Sequence, residues 1–195
     1  MRLFYSTRPR ILIDRDDVLG DSAPKIIDAL NRVAGTSHTQ DDFPKWDIFD
    51  SGKFTSEHKT AAWDLLHKEG WPGSVAPIEE AKWAVKELQK LGEVFCVTSC
   101  TSAWEGAAWT KEHFGIDRAH YISAHSKWLV DGAVLIDDRP ENLVLWTWEH
   151  ADGLGILWTV PGNRKFDETL HEGIYRPRDW STLVADVDQF LLSCG

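Results

Sequence analysis

Methionine is almost missing from this chain of 195 residues, with Met1 the only one. Cysteine is scarce as well. Cys96, Cys100 and Cys194 make an odd count with no CxxC spacing, which argues against a disulfide framework or a zinc site and fits a reducing, cytoplasmic compartment. No apolar run approaches the ~18 residues that a membrane-spanning helix needs. The opening stretch MRLFYSTRPRILIDRDD reaches a cluster of acids without the apolar core of a secretory signal. Positive charge is in deficit: 21 Lys and Arg stand against 31 Asp and Glu, a net charge of −10. Such a chain is a poor neutraliser of polyanions, so membrane surfaces and nucleic-acid polymers are disfavoured as partners. A small phosphorylated ligand needs only a local positive site and stays open. Repeats and low-complexity segments are absent too. A composition 43% hydrophobic and 27% charged is that of a globular chain able to bury a core.

Tryptophan, by contrast, is abundant, with eleven. Its size and single donor suit both cores with a polar edge and aromatic ligand walls.

The hydrophobic pattern predicts a strand at residues 10–13 and a helix over 23–33. In that helix Ile26, Ile27, Leu30 and Val33 recur at helical spacing, Ser22 or Asp21 caps the start, and Gly35 ends it. Residues 36–56 have no clean period and scatter Phe43, Trp46, Phe49 and Phe54 among polar residues. A second helix follows to Glu69, then a Gly70-Trp71-Pro72-Gly73 turn. From residue 78 the chain alternates: helix 78–91, strand 94–98, helix 103–114, short strand 121–122, strand 133–136, helix 140–149, strand 155–160 and helix 180–192. Alternation of this kind implies an α/β, Rossmann-like parallel sheet with helices on both faces. The first strand is separated from the alternation by about sixty residues. Residues 20–76 therefore read as an inserted, mainly helical cap, and residues 1–19 with 77–195 as the core.

In an open parallel sheet ligands bind beyond the carboxyl ends of the strands. There the sequence places Asp14-Arg15-Asp16-Asp17, Thr98-Ser99 and Asp137-Asp138 after three apolar runs. One Asp at a strand end starts a turn; two acid pairs and a Thr-Ser at three strand ends exceed what turns require. Acids that close stay ionised together only around a shared cation, and an all-oxygen cluster favours Mg2+. Lys127, ten positions ahead of Asp137, is a candidate counter-charge. His113, His120 and His125 follow no ligand spacing and suggest no transition metal.

These residues resemble the four motifs of the haloacid-dehalogenase (HAD) superfamily phosphatases: Asp14-x-Asp16-x-Val18-Leu19, then Thr98, Lys127 and Asp137-Asp138. Within that superfamily the chain is most similar to the 5′(3′)-deoxyribonucleotidases, on Asp16-Asp17-Val18-Leu19-Gly20-Asp21, Thr98-Ser99 and Ile136-Asp137-Asp138-Arg139-Pro140. Two departures stand out. Asp17 occupies the family's glycine position, where an unusual backbone angle is expected, and Cys100 replaces a proline that commonly follows Thr-Ser.

The resemblance implies a Mg2+-dependent phosphomonoesterase, a 5′-nucleotidase acting on (deoxy)nucleoside monophosphates. Asp14 would be the nucleophile and Asp16 the general acid and base. The ion would be held by Asp14, the Asp16 carbonyl and either Asp137 or Asp138. Thr98, Ser99 and Cys100 would hold phosphate oxygens, and Lys127 would stabilise the transferring phosphoryl group. Phe43, Trp46, Phe49 and Phe54 would stack the base or pack the cap's own core. The alternatives are a HAD phosphatase for a sugar phosphate or a nucleic-acid 3′-phosphate, and a nucleotide-binding module without turnover.

Overall fold

Ile11, Leu12 and Ile13 have no exposed surface, the mark of a strand covered on both faces. The computed structural model describes residues 8–43, 48–99 and 102–194. In it these residues form β1 (Arg10–Ile13) at the centre of a sheet. The other strands of that sheet are β4 (Glu93–Thr98), β5 (Tyr121–Ser123), β6 (Val134–Asp137), β7 (Leu154–Leu157) and β8 (Ile174–Tyr175). The order is β5-β4-β1-β6-β7-β8 and every pairing is parallel. The predicted α/β sheet is thus observed, with β8 as an addition: two residues carry no readable period.

Ile13 is in register with both Cys96 and Ile136. The residues that follow β1, β4 and β6 consequently emerge along one edge. The chain passes to β4 on one side of β1 and to β6 on the other, which opens a crevice at that edge.

Side chains alternate across the sheet as the pleat demands. Ile11 and Ile13 face a cluster that includes Ala81, Val85 and Leu88 of α3 (Glu79–Leu91), Trp109 of α4 (Ala103–Phe114), and Leu183 and Val187 of α6 (Trp180–Ser193). Leu12 faces the opposite way, into a cluster with Leu143 and Trp146 of α5 (Pro140–Glu149). Pro140 occupies the first turn of α5, where its missing N–H costs nothing.

A second, two-stranded ribbon pairs β2 (Gly20–Asp21) antiparallel with β3 (Ala76–Pro77). Between them lie α1 (Ser22–Ala34) and α2 (Ser56–Lys68). Ala23, Ile27 and Leu30 of α1 pack on Ala62 and Leu66 of α2, together with Phe43, Phe54, Trp71 and Val75.

One local expectation is corrected. Neither Ser22 nor Asp21 caps α1 with its side chain. The carboxylate of Asp17 does so, accepting from the backbone N–H of Ser22 at 2.9 Å and of Ala23 at 2.7 Å. The cap comes from across the turn because Asp17 adopts φ 57°, the left-handed region that Asp enters more readily than most residues.

Candidate active site

Asp14 is held at the end of β1 by its backbone N–H, which donates to the Ile136 carbonyl at 2.8 Å. Its side chain is buried, as are those of Lys127, Asp137 and Asp138. Lys127 comes from a short 3-10 turn, Lys127–Leu129, beyond β5. Its Nζ lies 2.7 Å from Asp14 Oδ1 and 2.8 Å from Asp137 Oδ2. Burial works against the ammonium, but the two carboxylates outweigh it and raise its pKa above the ordinary lysine value. The sequence leaves Lys127 open between a surface residue and a site residue; the structure buries it between Asp14 and Asp137.

The adjacent acids Asp137 and Asp138 are treated in opposite ways. Asp137 Oδ1 accepts from the Arg139 N–H at 2.9 Å and from Asn142 Nδ2 at 3.1 Å, and Oδ2 also accepts from Asn142 Nδ2 at 3.1 Å besides Lys127. No comparable set of donors meets the side chain of Asp138 among the described residues. Burial, then the charges of Asp137, Asp14 and Asp17, push its pKa well above the usual carboxylate range. Burial also raises Asp14 to about 7; Lys127 pulls it down, while Asp137 and Asp16 push it up. Asp14, Asp137 and Asp138 each offer an oxygen within 4.8 Å of the others'. Three buried carboxylates facing one lysine leave negative charge uncompensated, and an oxygen-liganded cation would neutralise it.

Asp16 is directed elsewhere. Its Oδ1 accepts from Ser22 Oγ at 2.6 Å and Arg15 Nη1 at 2.8 Å, and its Oδ2 accepts from Thr98 Oγ1 at 3.3 Å. Its side chain is 30% exposed. Asp14 Oδ1 takes both the Lys127 contact and the Arg15 N–H at 2.7 Å, so these two donors leave Oδ2 to the open side.

These residues open into a cavity of about 380 Å³. Its floor is Asp14, Asp16, Asp17 and Asp138, with Ser99, Ser102 and Arg139 at the sides. Its roof is Ile26, Ile48, Phe49, Trp63, His67 and Trp71. Phe49 and Trp63 stack with centroids 4.9 Å apart and planes 9° from parallel.

Of the residues singled out from sequence, the structure brings Asp14, Asp137 and Lys127 into contact, sets Asp138 within 4.8 Å of the two acids, joins Thr98 to Asp16 and lines the adjoining cavity with Asp16, Ser99 and Phe49. Phe43 is not brought to the cavity. It is 2% exposed and stacks on Phe54 at 6.1 Å, with the edge of His38 against both. Both phenylalanines thus pack the small core around α1 and α2, the bland half of their expected reading. Trp46 and Cys100 lie outside the described residues. Sequence reasoning passed over Trp63, His67 and Trp71. The signal was present: Trp63 and His67 are i,i+4 on α2 and share a face, and Trp71 follows in the turn.

Solved structures share this fold. A haloacid-dehalogenase-like hydrolase of Streptococcus pneumoniae superposes with a TM-score of 0.69 at 13% identity, over 94% of this chain and 100% of its own. A HAD family hydrolase of Deinococcus radiodurans R1, crystallised with phosphate and sodium, gives 0.65 at 13% identity over 95% and 97%. Sheet order, switch point and acidic strand ends give this chain the HAD-like fold of those structures. At the level of sequence, the 5′(3′)-deoxyribonucleotidase of Bacillus subtilis (strain 168) is 27% identical over 163 residues, 79% of this chain and 87% of that protein. A Staphylococcus aureus (strain Mu50) protein, provisionally given the same activity in its name, is 28% identical over 194 residues, 95% and 97% of the two chains. The chain belongs to the 5′ nucleotidase, deoxy (pyrimidine), cytosolic type C family, whose model matches residues 8–191. It is accordingly a phosphatase of the 5′-nucleotidase type. No helix among the described residues is long and apolar enough to cross a membrane.

Proposed function

We propose that this protein is a Mg2+-dependent 5′-nucleotidase that dephosphorylates (deoxy)nucleoside monophosphates through an aspartyl-phosphate on Asp14. The observation that carries the reading is the pairing of Asp14, on the floor of an aromatic-roofed cavity, with the buried Lys127 at 2.7 Å. Phosphoryl transfer is mostly positioning and charge stabilisation, and this arrangement supplies both.

Asp14 Oδ2 attacks phosphorus while the bond from phosphorus to the ester oxygen breaks. Asp16 gives its proton to the departing alkoxide. The product alcohol leaves, a water attacks phosphorus, and Asp16 takes a proton from it. The bond from phosphorus to Asp14 then breaks, freeing inorganic phosphate and restoring both acids. Lys127 fixes the Asp14 carboxylate and balances charge on the phosphoryl oxygens. Thr98, Ser99 and Cys100 belong to the same proposal as phosphate-holding residues.

Asp14 and Asp138 are the side chains suited to hold Mg2+, together with the Asp16 carbonyl, because Asp137 is occupied by Lys127, Asn142 and the Arg139 N–H. A bound divalent ion would screen the anionic phosphate from the anionic nucleophile.

Residues 20–76 act as the cap over a core of 1–19 and 77–195. Phe49, Trp63 and Trp71 wall the space that a nucleobase would fill, and base–aromatic stacking is worth ~1–3 kcal/mol per base. The acidic charge balance and the free Cys96 and Cys194 suit a cytoplasmic enzyme of nucleotide metabolism.

Release of inorganic phosphate from dNMPs, NMPs, sugar phosphates and p-nitrophenyl phosphate, with Mg2+ and with EDTA, tests the reading. Release from nucleoside monophosphates that EDTA stops and Asp14→Asn abolishes is expected. Release from sugar phosphates alone would replace the substrate class. Unchanged release by Asp14→Asn would end the mechanism.

A further inference from the structure

Arg15 sits between the two acids of the β1 turn, and it is wholly buried. Its Nη1 donates to Asp16 Oδ1 at 2.8 Å, and its Nη2 donates to the Pro72 carbonyl at 3.0 Å. Its guanidinium carbon lies 5.4 Å from the ring centroid of Trp71 and 5.2 Å from that of Trp109. Trp71 belongs to the cluster built on α1 and α2, Trp109 to the cluster beneath the sheet. Trp109 Nε1 also donates to the Val75 carbonyl at 2.9 Å. One guanidinium therefore touches the acid Asp16, the helix layer of the sheet and the 71–75 turn. The steps described above make no use of it.

Two aromatic rings would pack equally well on an apolar side chain of the same length. Burying a guanidinium is unfavourable unless its partners compensate it, and Arg15 Nε has no partner among the described residues. Packing alone therefore does not account for an arginine here. Both of its Nη atoms donate within the protein. What the charge does reach is Asp16. A guanidinium is a rigid, planar fork, pre-organised to hold a carboxylate in one orientation.

We infer that Arg15 is a positioning residue for the acid–base group. Pinned by Trp71, Trp109 and the Pro72 carbonyl, it holds Asp16 by Oδ1 and so leaves Oδ2, beside the Thr98 hydroxyl at 3.3 Å, as the proton-carrying oxygen. Ser22 Oγ acts on the same oxygen, Oδ1, at 2.6 Å. Arg15 thereby ties the geometry of Asp16 to the 71–75 turn, whose Trp71 lines the cavity. This inference rests on the general-acid role proposed for Asp16.

The test is the dependence on the leaving group. A nucleoside alkoxide needs a proton as it departs; p-nitrophenolate does not. The value of kcat/KM covers only the steps through phosphoryl transfer to Asp14, so it isolates the acid step. Arg15→Met, full chain, is expected to lose ~10–100-fold in kcat/KM on a deoxynucleoside 5′-monophosphate, a share of the 10²–10⁴ that positioned acids contribute. On p-nitrophenyl phosphate it should stay within ~3-fold of the parent, since that ester needs no acid. Equal losses on the two esters would overturn the inference and leave Arg15 a structural rivet. Asp16→Asn is measured beside it: a split there without one in Arg15→Met refutes the role of Arg15, whereas no split in Asp16→Asn refutes the role of Asp16. Should Arg15→Met fail to fold, Arg15→Gln is measured in its place with the same two readings.

Discussion

Lys127 and Asp137 meet at 2.8 Å with side chains 2% and 0% exposed, ten residues apart in sequence and on separate elements. The pair is a brace between the turn after β5 and the end of β6. Removing one partner of a buried pair typically costs ~3–5 kcal/mol, because the other charge is left without compensation. Lys127→Met is expected to lose stability on that scale in urea unfolding and to be inactive. The double variant Lys127→Met/Asp137→Asn should recover part of the stability and none of the activity.

Asp137 and Asp138 are expected to answer amide substitution with opposite signs. Asp137→Asn removes the acceptor of Lys127 and should lower the melting temperature. Asp138→Asn removes a buried charge that burial and three neighbouring acids oppose, so in EDTA it should melt higher than the parent. Added Mg2+ should raise the melting temperature of the parent protein by mass action and leave that of Asp138→Asn unchanged. Differential scanning calorimetry with and without the ion reads all three signs.

Asp14, Asp17 and Asp138 all contribute to the pH response of the metal-free protein, each with a raised pKa. The folded-state pKa values of Asp14 and Asp17 are raised from 3.8 to about 7, chiefly by burial. Between those values the folded state binds more protons than the unfolded state, so stability falls as pH rises. In EDTA the melting temperature should decline from about pH 4 to about pH 7, and Asp14→Asn should flatten part of the slope. Asp179 acts in the other sense, held at about 2 by the backbone and hydroxyl of Thr182 and the hydroxyl of Ser181. Its window lies below the other one, so the two separate in a titration of the melting temperature.

Asp17 combines a left-handed backbone with the cap of α1. Asp17→Asn keeps an acceptor and loses the buried charge, so it should equal or exceed the parent in stability. Asp17→Gly keeps the backbone but loses the cap. Asp17→Ala loses both, and should be the least stable of the three, by ~1–3 kcal/mol for the cap and the backbone angle together. Denaturant midpoints order the series.

The aromatic roof should govern substrate preference. Trp63→Ala removes one layer of the Phe49–Trp63 stack and should raise KM for nucleoside monophosphates ~5–50-fold, the equivalent of one stacking contact. The value for p-nitrophenyl phosphate should change less. Steady-state kinetics on both esters checks it.

Much of the sheet could be read beforehand because buried parallel strands are nearly continuous apolar runs, and because β1, β4 and β6 stop abruptly at Asp14, Thr98 and Asp137. The chemistry at those ends was legible for the same reason: acids at strand ends have no packing role to hide behind. What separates Asp137 from Asp138 was not legible, since it depends on Asn142 one turn into α5 and on a lysine from another element. The cap of α1 was misread because Asp17 reaches it only through a backbone angle that no periodicity reports. Phe43, Phe49 and Phe54 looked alike in a stretch without a period; packing sends one to the cavity and two to a core. No pattern in the sequence marks Arg15, whose burial depends on Trp71 and Trp109 far along the chain.

The ribbon at Gly20–Asp21 and Ala76–Pro77 has an evolutionary corollary. Departure and return points of a chain that lie side by side tolerate exchange of whatever runs between them. Descendants of such a scaffold can trade one roof for another, altering which molecules are admitted, while the ledge of acids beneath is inherited intact.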